Sequence, residues 1–159
     1  MRMAVAPTLA AVGLPEVGTT IRSRGRTVGE ADVTMFAALT GDWHPQHSDA
    51  EWAAESQFGE RIAHGLLVLS IASGLLAWDP AQVMALRALR EVVFKRPVRI
   101  GDTVSAEVEV LSAQPLNDQS ALVTMNLRVR NQSGAIAVRA RLDLLWRVGL
   151  EADGRQNAP

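Results

Sequence analysis

The apolar positions of this chain change period along its length. In "EADVTMFAALTG", Val33, Phe36, Ala37 and Thr40 recur at i, i+3, i+4 and i+7, the spacing of a helix with one covered face. Glu30 and Asp32 lie at its start, where negative charge suits the helix dipole. Gly41 stands where a helix commonly ends. A polar stretch, "GDWHPQHSD", follows, and then a short helical piece, "DAEWAAESQFG", with Asp49 as its cap. "IAHGLLVLSIASGLLAW", Ile62 to Trp78, is apolar nearly all round, so a helix from about His64 to Trp78 is expected to be enclosed. Its small residues, Gly65, Ala72, Ser73 and Gly74, let other backbone come close.

From "LREVVFKRPVRIGDTVSAEVEVLSA" onward the period falls to two. Val104, Ala106, Val108 and Val110 face one way, and Ser105, Glu107 and Glu109 the other. Gly101–Asp102 marks a turn before that strand. "ALVTMNLRVR" and "AIAVRARLDLLWRV" read as two more strands, joined by "NQSG" as a hairpin. A short strand near "TTIRSRGRTV" precedes everything else. Strand, helix, loop, long helix and then antiparallel strands make an α+β order, best satisfied by a curved antiparallel sheet wrapped around the long central helix.

The length, 159 residues, suits one domain with a sizeable core. That domain is expected over residues 14–149, between a flexible leader, 1–13, and a flexible tail, 150–159. The leader is rich in Ala, Val and Leu, but Pro7 interrupts it and its positive charge is minimal, which argues against a signal peptide. A net charge of -1 predicts no strong field toward nucleic acid or membrane. The apolar run at Ile62–Trp78 falls short of the roughly 20 residues a spanning helix needs. The chain has no cysteine, which excludes disulfides, thiolate metal sites and a thiol nucleophile, and leaves the cytoplasm as the expected compartment. No G-x-x-x-x-G-K or G-x-G-x-x-G motif supports nucleotide hydrolysis or a Rossmann cofactor.

Chemistry concentrates in "GDWHPQHSD". Asp42, His44 and His47 offer a carboxylate and two imidazoles, but a zinc site wants three or four ligands and only His64 remains as a further histidine. Pro45 makes a regular helix interior between the two imidazoles unfavourable. Asp42 and His47 can instead converge on one water or one substrate proton, since imidazole titrates near neutrality and an apolar pocket raises a carboxylate toward it. A plain polar loop, with Asp42 capping backbone amides, is the third reading. Spacing leaves all three open, the metal with least support.

"FAALTGDWHPQHSD", followed by "AHGLLVLSIASGLL", resembles the MaoC-like family of hotdog-fold dehydratases and (R)-specific enoyl-CoA hydratases. The family motif runs from an aromatic residue to G-D-x-N-P-x-H, with H-G at the start of the central helix. Phe36, Gly41, Asp42, Pro45, His47, His64 and Gly65 fall on it, and "RPVRIGDTVSAEVEV" resembles the family's entry into its next strand. The resemblance covers roughly Val17 to Val148. It implies a hotdog fold and a cofactor-free, metal-free hydro-lyase acting on an acyl-CoA or acyl-carrier-protein thioester.

Position by position, the resemblance implies Asp42 and His47 as the catalytic pair. His47 would act as base toward the water and Asp42 would pass a proton to the α-carbon, roles that can be exchanged. Gly65 would polarise the thioester carbonyl through its N–H. Ser73 aligns with a serine that supports the aspartate, and His64 would fix the helix entry. The family's asparagine is His44 here, a departure that bears on the loop geometry. Lys95, Arg96 and Arg99 could meet CoA phosphates, or form a solvated strand end. Two rival readings stand beside this one. A thioesterase would want a carboxylate on the central helix, which Gly65 to Ala77 lacks. A non-catalytic acyl-binding subunit of a heteromeric dehydratase is left open by His44. A homodimer or higher homo-oligomer is expected, with no nucleic-acid or membrane partner.

Overall fold

A computed structural model describes residues 13–148. The expected leader, 1–13, and tail, 150–159, lie outside them except for Gly13, whose carbonyl accepts a hydrogen bond from the Trp146 indole. Two short strands, β1 (Thr20–Arg22) and β2 (Arg26–Thr27), lead into helix α1 (Glu30–Thr40). Two helical turns follow, α2 (Pro45–Ser48) and α3 (Ala50–Ala54), and then helix α4 (Gly65–Leu75). Four strands complete the chain: β3 (Val83–Phe94), β4 (Thr103–Asn117), β5 (Ser120–Arg130) and β6 (Ile136–Arg147). All pairing is antiparallel, in the order β1-β4-β5-β6-β3, with β2 also on β4.

Period-two patterning produces this sheet directly. Val104, Ala106, Val108 and Val110 of β4, Val123, Met125, Leu127 and Val129 of β5, and Val138, Ala140, Leu142 and Leu144 of β6 point inward and are buried. Leu67, Val68, Leu69, Ile71 and Ala72 of α4 pack into the same core. On the outer face Glu107 is buried beneath arginines. Burial alone would raise its pKa, but hydrogen bonds from Arg130 and Arg128 outweigh that and hold it below the ordinary carboxylate value.

Three expectations are corrected. The helix α4 is not enclosed all round: Leu66, Ser70 and Gly74 form an open stripe along it. On that side β3 is the outer edge of the sheet, and Met84, Leu86, Leu89 and Phe94 stay exposed. Strand β3 also begins at Val83, ahead of the apolar alternation, since register shifts along its pairing with β6 break the simple period. Strand β4 continues through Pro115 to Asn117, past the expected end. Beyond Val110 its only partner among the described residues is β5, so the missing proline N–H costs no ladder bond on the open side.

Candidate active site

Helix α1 ends at Gly41, which takes φ 78° and lets its N–H close on the Ala37 carbonyl. Asp42 follows, exposed at the turn. Its carboxylate accepts from the His44 N–H at 3.3 Å, and its carbonyl accepts from His64 Nε2 at 3.0 Å. His44 is the N-cap of α2: its Nδ1 accepts from the Gln46 backbone N–H at 3.2 Å, as a capping asparagine oxygen would. Pro45 takes the first helical position, where its missing N–H is not needed. Proline thus starts the turn instead of breaking it, and the turn carries His47 inward.

His47 is 5% exposed. Its Nδ1 lies 2.7 Å from the Ile62 carbonyl, which can only accept, so Nδ1 carries the proton and Nε2 the lone pair. Burial is the largest influence on this ring and pushes its pKa below the ordinary imidazole value. The Ile62 hydrogen bond opposes the shift, and His64 adds to it. His64 stacks on His47 with ring centroids 3.8 Å apart and planes 28° apart. Its Nε2–H is spent on Asp42, which leaves a buried Nδ1 lone pair without a partner among the described residues.

Gly65 opens α4 immediately after His64. Its N–H, with that of Leu66, has no acceptor among the described residues, and His64 supplies no side-chain cap. These donors, Asp42 and His47 line one cavity of about 470 Å³. The ligating atoms of Asp42, His47 and His64 all lie within 4.8 Å of one another. The trio is nonetheless poorly built for a metal. In-plane lone pairs of two nearly parallel stacked rings do not converge on one point about 2.0–2.1 Å from each nitrogen. His44, the second imidazole of the metal reading, caps α2 and meets Trp52 edge-on at 5.3 Å.

Other expected site residues divide. Lys95 and Arg96 line the cavity, although Arg96 also donates to the Ile136 carbonyl. Arg99 does not line it: its guanidinium pairs with Glu60 at 2.6 Å. Ser73 is also displaced from the Asp42 cavity. It lies eight residues beyond Gly65, about 12 Å along a helix at 1.5 Å per residue, and its hydroxyl makes no bond to Asp42 among the described residues. It lines a second, apolar cavity of about 770 Å³ between α4 and β3, with Leu69, Leu86 and Leu89. The two cavities share Phe36 and Leu66.

Three contributors escaped the sequence reading. The Ile62 carbonyl and the Phe94 ring, which fills the space beside Gly65, carry no sequence signal because tertiary structure brings them in. Gln46 lay inside the quoted motif as an unremarked polar neighbour.

Comparison with known proteins follows the same lines. Residues 14–132 match the MaoC like domain family. The (R)-specific enoyl-CoA hydratase of Aeromonas caviae is 39% identical over 123 residues, 77% of this chain and 89% of its own length. The structure of a monoamine oxidase regulatory protein from Archaeoglobus superposes with a TM-score of 0.80 at 40% identity, covering 85% of this chain and 92% of that one. A double-hotdog protein of Mycobacterium tuberculosis aligns at TM-score 0.75 and 17% identity over 86% of this chain and 44% of its own, a likeness of fold alone.

Proposed function

The chain belongs to the MaoC-like domain family, and from that premise we propose that it hydrates trans-2-enoyl thioesters reversibly to (R)-3-hydroxyacyl thioesters. It is a hydro-lyase. The observation that carries the site assignment is the convergence of Asp42, His47 and the free N–H groups at the start of α4 on one cavity.

The thioester carbonyl lies against the Gly65 N–H, where the helix dipole stabilises the enolate-like oxygen that develops during addition. His47 Nε2 takes a proton from water as the water oxygen bonds to the β-carbon. That proton reaches the α-carbon by way of Asp42, so one water is consumed and no proton is left over. Dehydration is the same path reversed. The apolar cavity beside Leu66 suits the acyl chain, and Lys95 and Arg96 at the rim suit the phosphates of a CoA or carrier-protein arm. Two copies pair through the exposed β3 edge, which covers its leucines and supplies its unpaired backbone with partners. We place the protein in the cytoplasm; among the described residues no helix is long and apolar enough to cross a membrane.

The test is loss of enoyl absorbance from a trans-2-enoyl-CoA. Asp42→Asn and His47→Gln should each lower kcat by about 10²–10⁴, the usual worth of a general acid or base. Full activity in both variants would remove the assignment. Release of free thiol would point to a thioesterase, against which the lack of an acidic residue in α4 already counts. Acyl-CoA binding without turnover would point to a non-catalytic subunit. His44 no longer favours that reading, because its imidazole performs the capping that the motif's asparagine could perform.

A further inference from the structure

His47 Nε2 holds one in-plane lone pair, and that lone pair is already engaged. Gln46 Nε2 lies 3.0 Å from it, and an amide N–H can only donate. A water that gives its proton to His47 needs the same lone pair. The Gln46 hydrogen bond also exists only with the neutral ring, because a protonated Nε2–H would meet another N–H. Gln46 therefore favours the form of His47 that is ready to act as base, while occupying the atom that acts. Its half-buried side chain lines the cavity beside Asp42.

Resting on the hydratase reading above, we propose that Gln46 is a positioning residue that acts as a hydrogen-bond latch on His47: its amide fixes the imidazole with Nε2 turned into the cavity, and must leave before Nε2 takes a proton. Two consequences follow. Breaking the latch belongs to every turnover, so it slows proton transfer. Its donation to the neutral ring also makes His47 harder to protonate. The other groups facing His47 are His64 at the start of α4, Asp42 and His44 in the motif loop, and Lys95 and Arg96 across the cavity; Arg61, near Ile62, is held by Glu30. All of them are common to the wild-type chain and the Gln46 variants compared below.

The experiment compares the wild-type full chain with Gln46→Leu, Gln46→Met and Gln46→Glu. Side-chain nitrogen NMR reads the tautomer and titration of His47, and kcat and KM for a trans-2-enoyl-CoA are measured against pH. The wild type should show Nδ1–H. In the Leu variant His47 should titrate at a pH higher by roughly half a unit, about the effect of one neutral hydrogen bond. The acid limb of kcat/KM should move with it, plateau kcat should rise severalfold, and KM should hold. The Met variant, which also lacks a strong donor, should behave alike and serves if the Leu variant does not fold. The Glu variant should titrate higher still, because a carboxylate favours the imidazolium. A titration at the same or lower pH in the Leu or Met variant, or a fall in plateau kcat, overturns the latch. NMR needs no turnover, so wild-type protein that hydrates nothing defeats the hydratase reading while the latch is still tested.

Discussion

Gly65→Ala separates what the start of α4 does for stability from what it does for chemistry. A Cβ there would lie 2.7 Å from Phe94 Cε1 and 2.8 Å from Cδ1, far inside van der Waals contact. Phe94 is 49% exposed at the end of β3, so its ring can swing toward solvent. An aromatic side chain buries about 150–250 Å² when fully covered. Losing the covered half at about 25 cal/mol per Å² costs at most roughly 2–3 kcal/mol. Alanine in place of glycine in a helix returns up to about 1 kcal/mol. The net is a destabilisation of about 1–2 kcal/mol, or roughly 2–8 °C in Tm for a chain of this size. Activity should suffer more. The methyl group intrudes where the proposed reaction brings the thioester carbonyl to the Gly65 N–H, and shutting off one oxyanion donor costs about 10²–10³ in kcat. The assays are thermal unfolding and enoyl-CoA hydration. Adding Phe94→Ala relieves the clash and should restore none of the activity. Gly65→Ala with native kcat/KM would refute the reasoning, because the carbonyl would then not need a bare Cα at this position.

Three further outcomes are expected from the proposed site and pairing. The proposed base is neutral His47, whose pKa is depressed by burial, so the rate should persist as pH falls through 6.5 and drop only below it. The stability sign agrees: between the unfolded and folded values the unfolded chain binds the proton more readily, so His47's contribution is present above 6.5 and is lost as pH falls toward the folded value. Melting temperature and kcat/KM measured from pH 8 to pH 5 check both statements. Leu89→Asp on the exposed face of β3 should convert the proposed dimer to monomer in sedimentation at micromolar concentration, by placing a charge where the two edges are proposed to meet; a dimer that persists would mean that another surface pairs.

Some of this protein is readable residue by residue. The spacing of Val33, Phe36 and Ala37 and the stop at Gly41 specify α1, and the alternation of β4, β5 and β6 specifies the inner face of the sheet, because these are local periodicities that the backbone enforces. The Asp42–His47 pair and the H-G start of α4 are singled out by motif resemblance, whereas spacing left the pair as one of three open readings. Tertiary structure alone decided the rest. It brought the Ile62 carbonyl to His47 Nδ1, and so fixed which nitrogen carries the lone pair. It stacked His64 on that ring and so turned a trio with ligand-like composition away from metal geometry. It sent Arg99 to Glu60 and Ser73 into the apolar cavity, although both lie in sequence near site residues. Helix and strand periods depend on neighbours a few positions apart, whereas a hydrogen-bond partner depends on which distant segment the folded core presses against it.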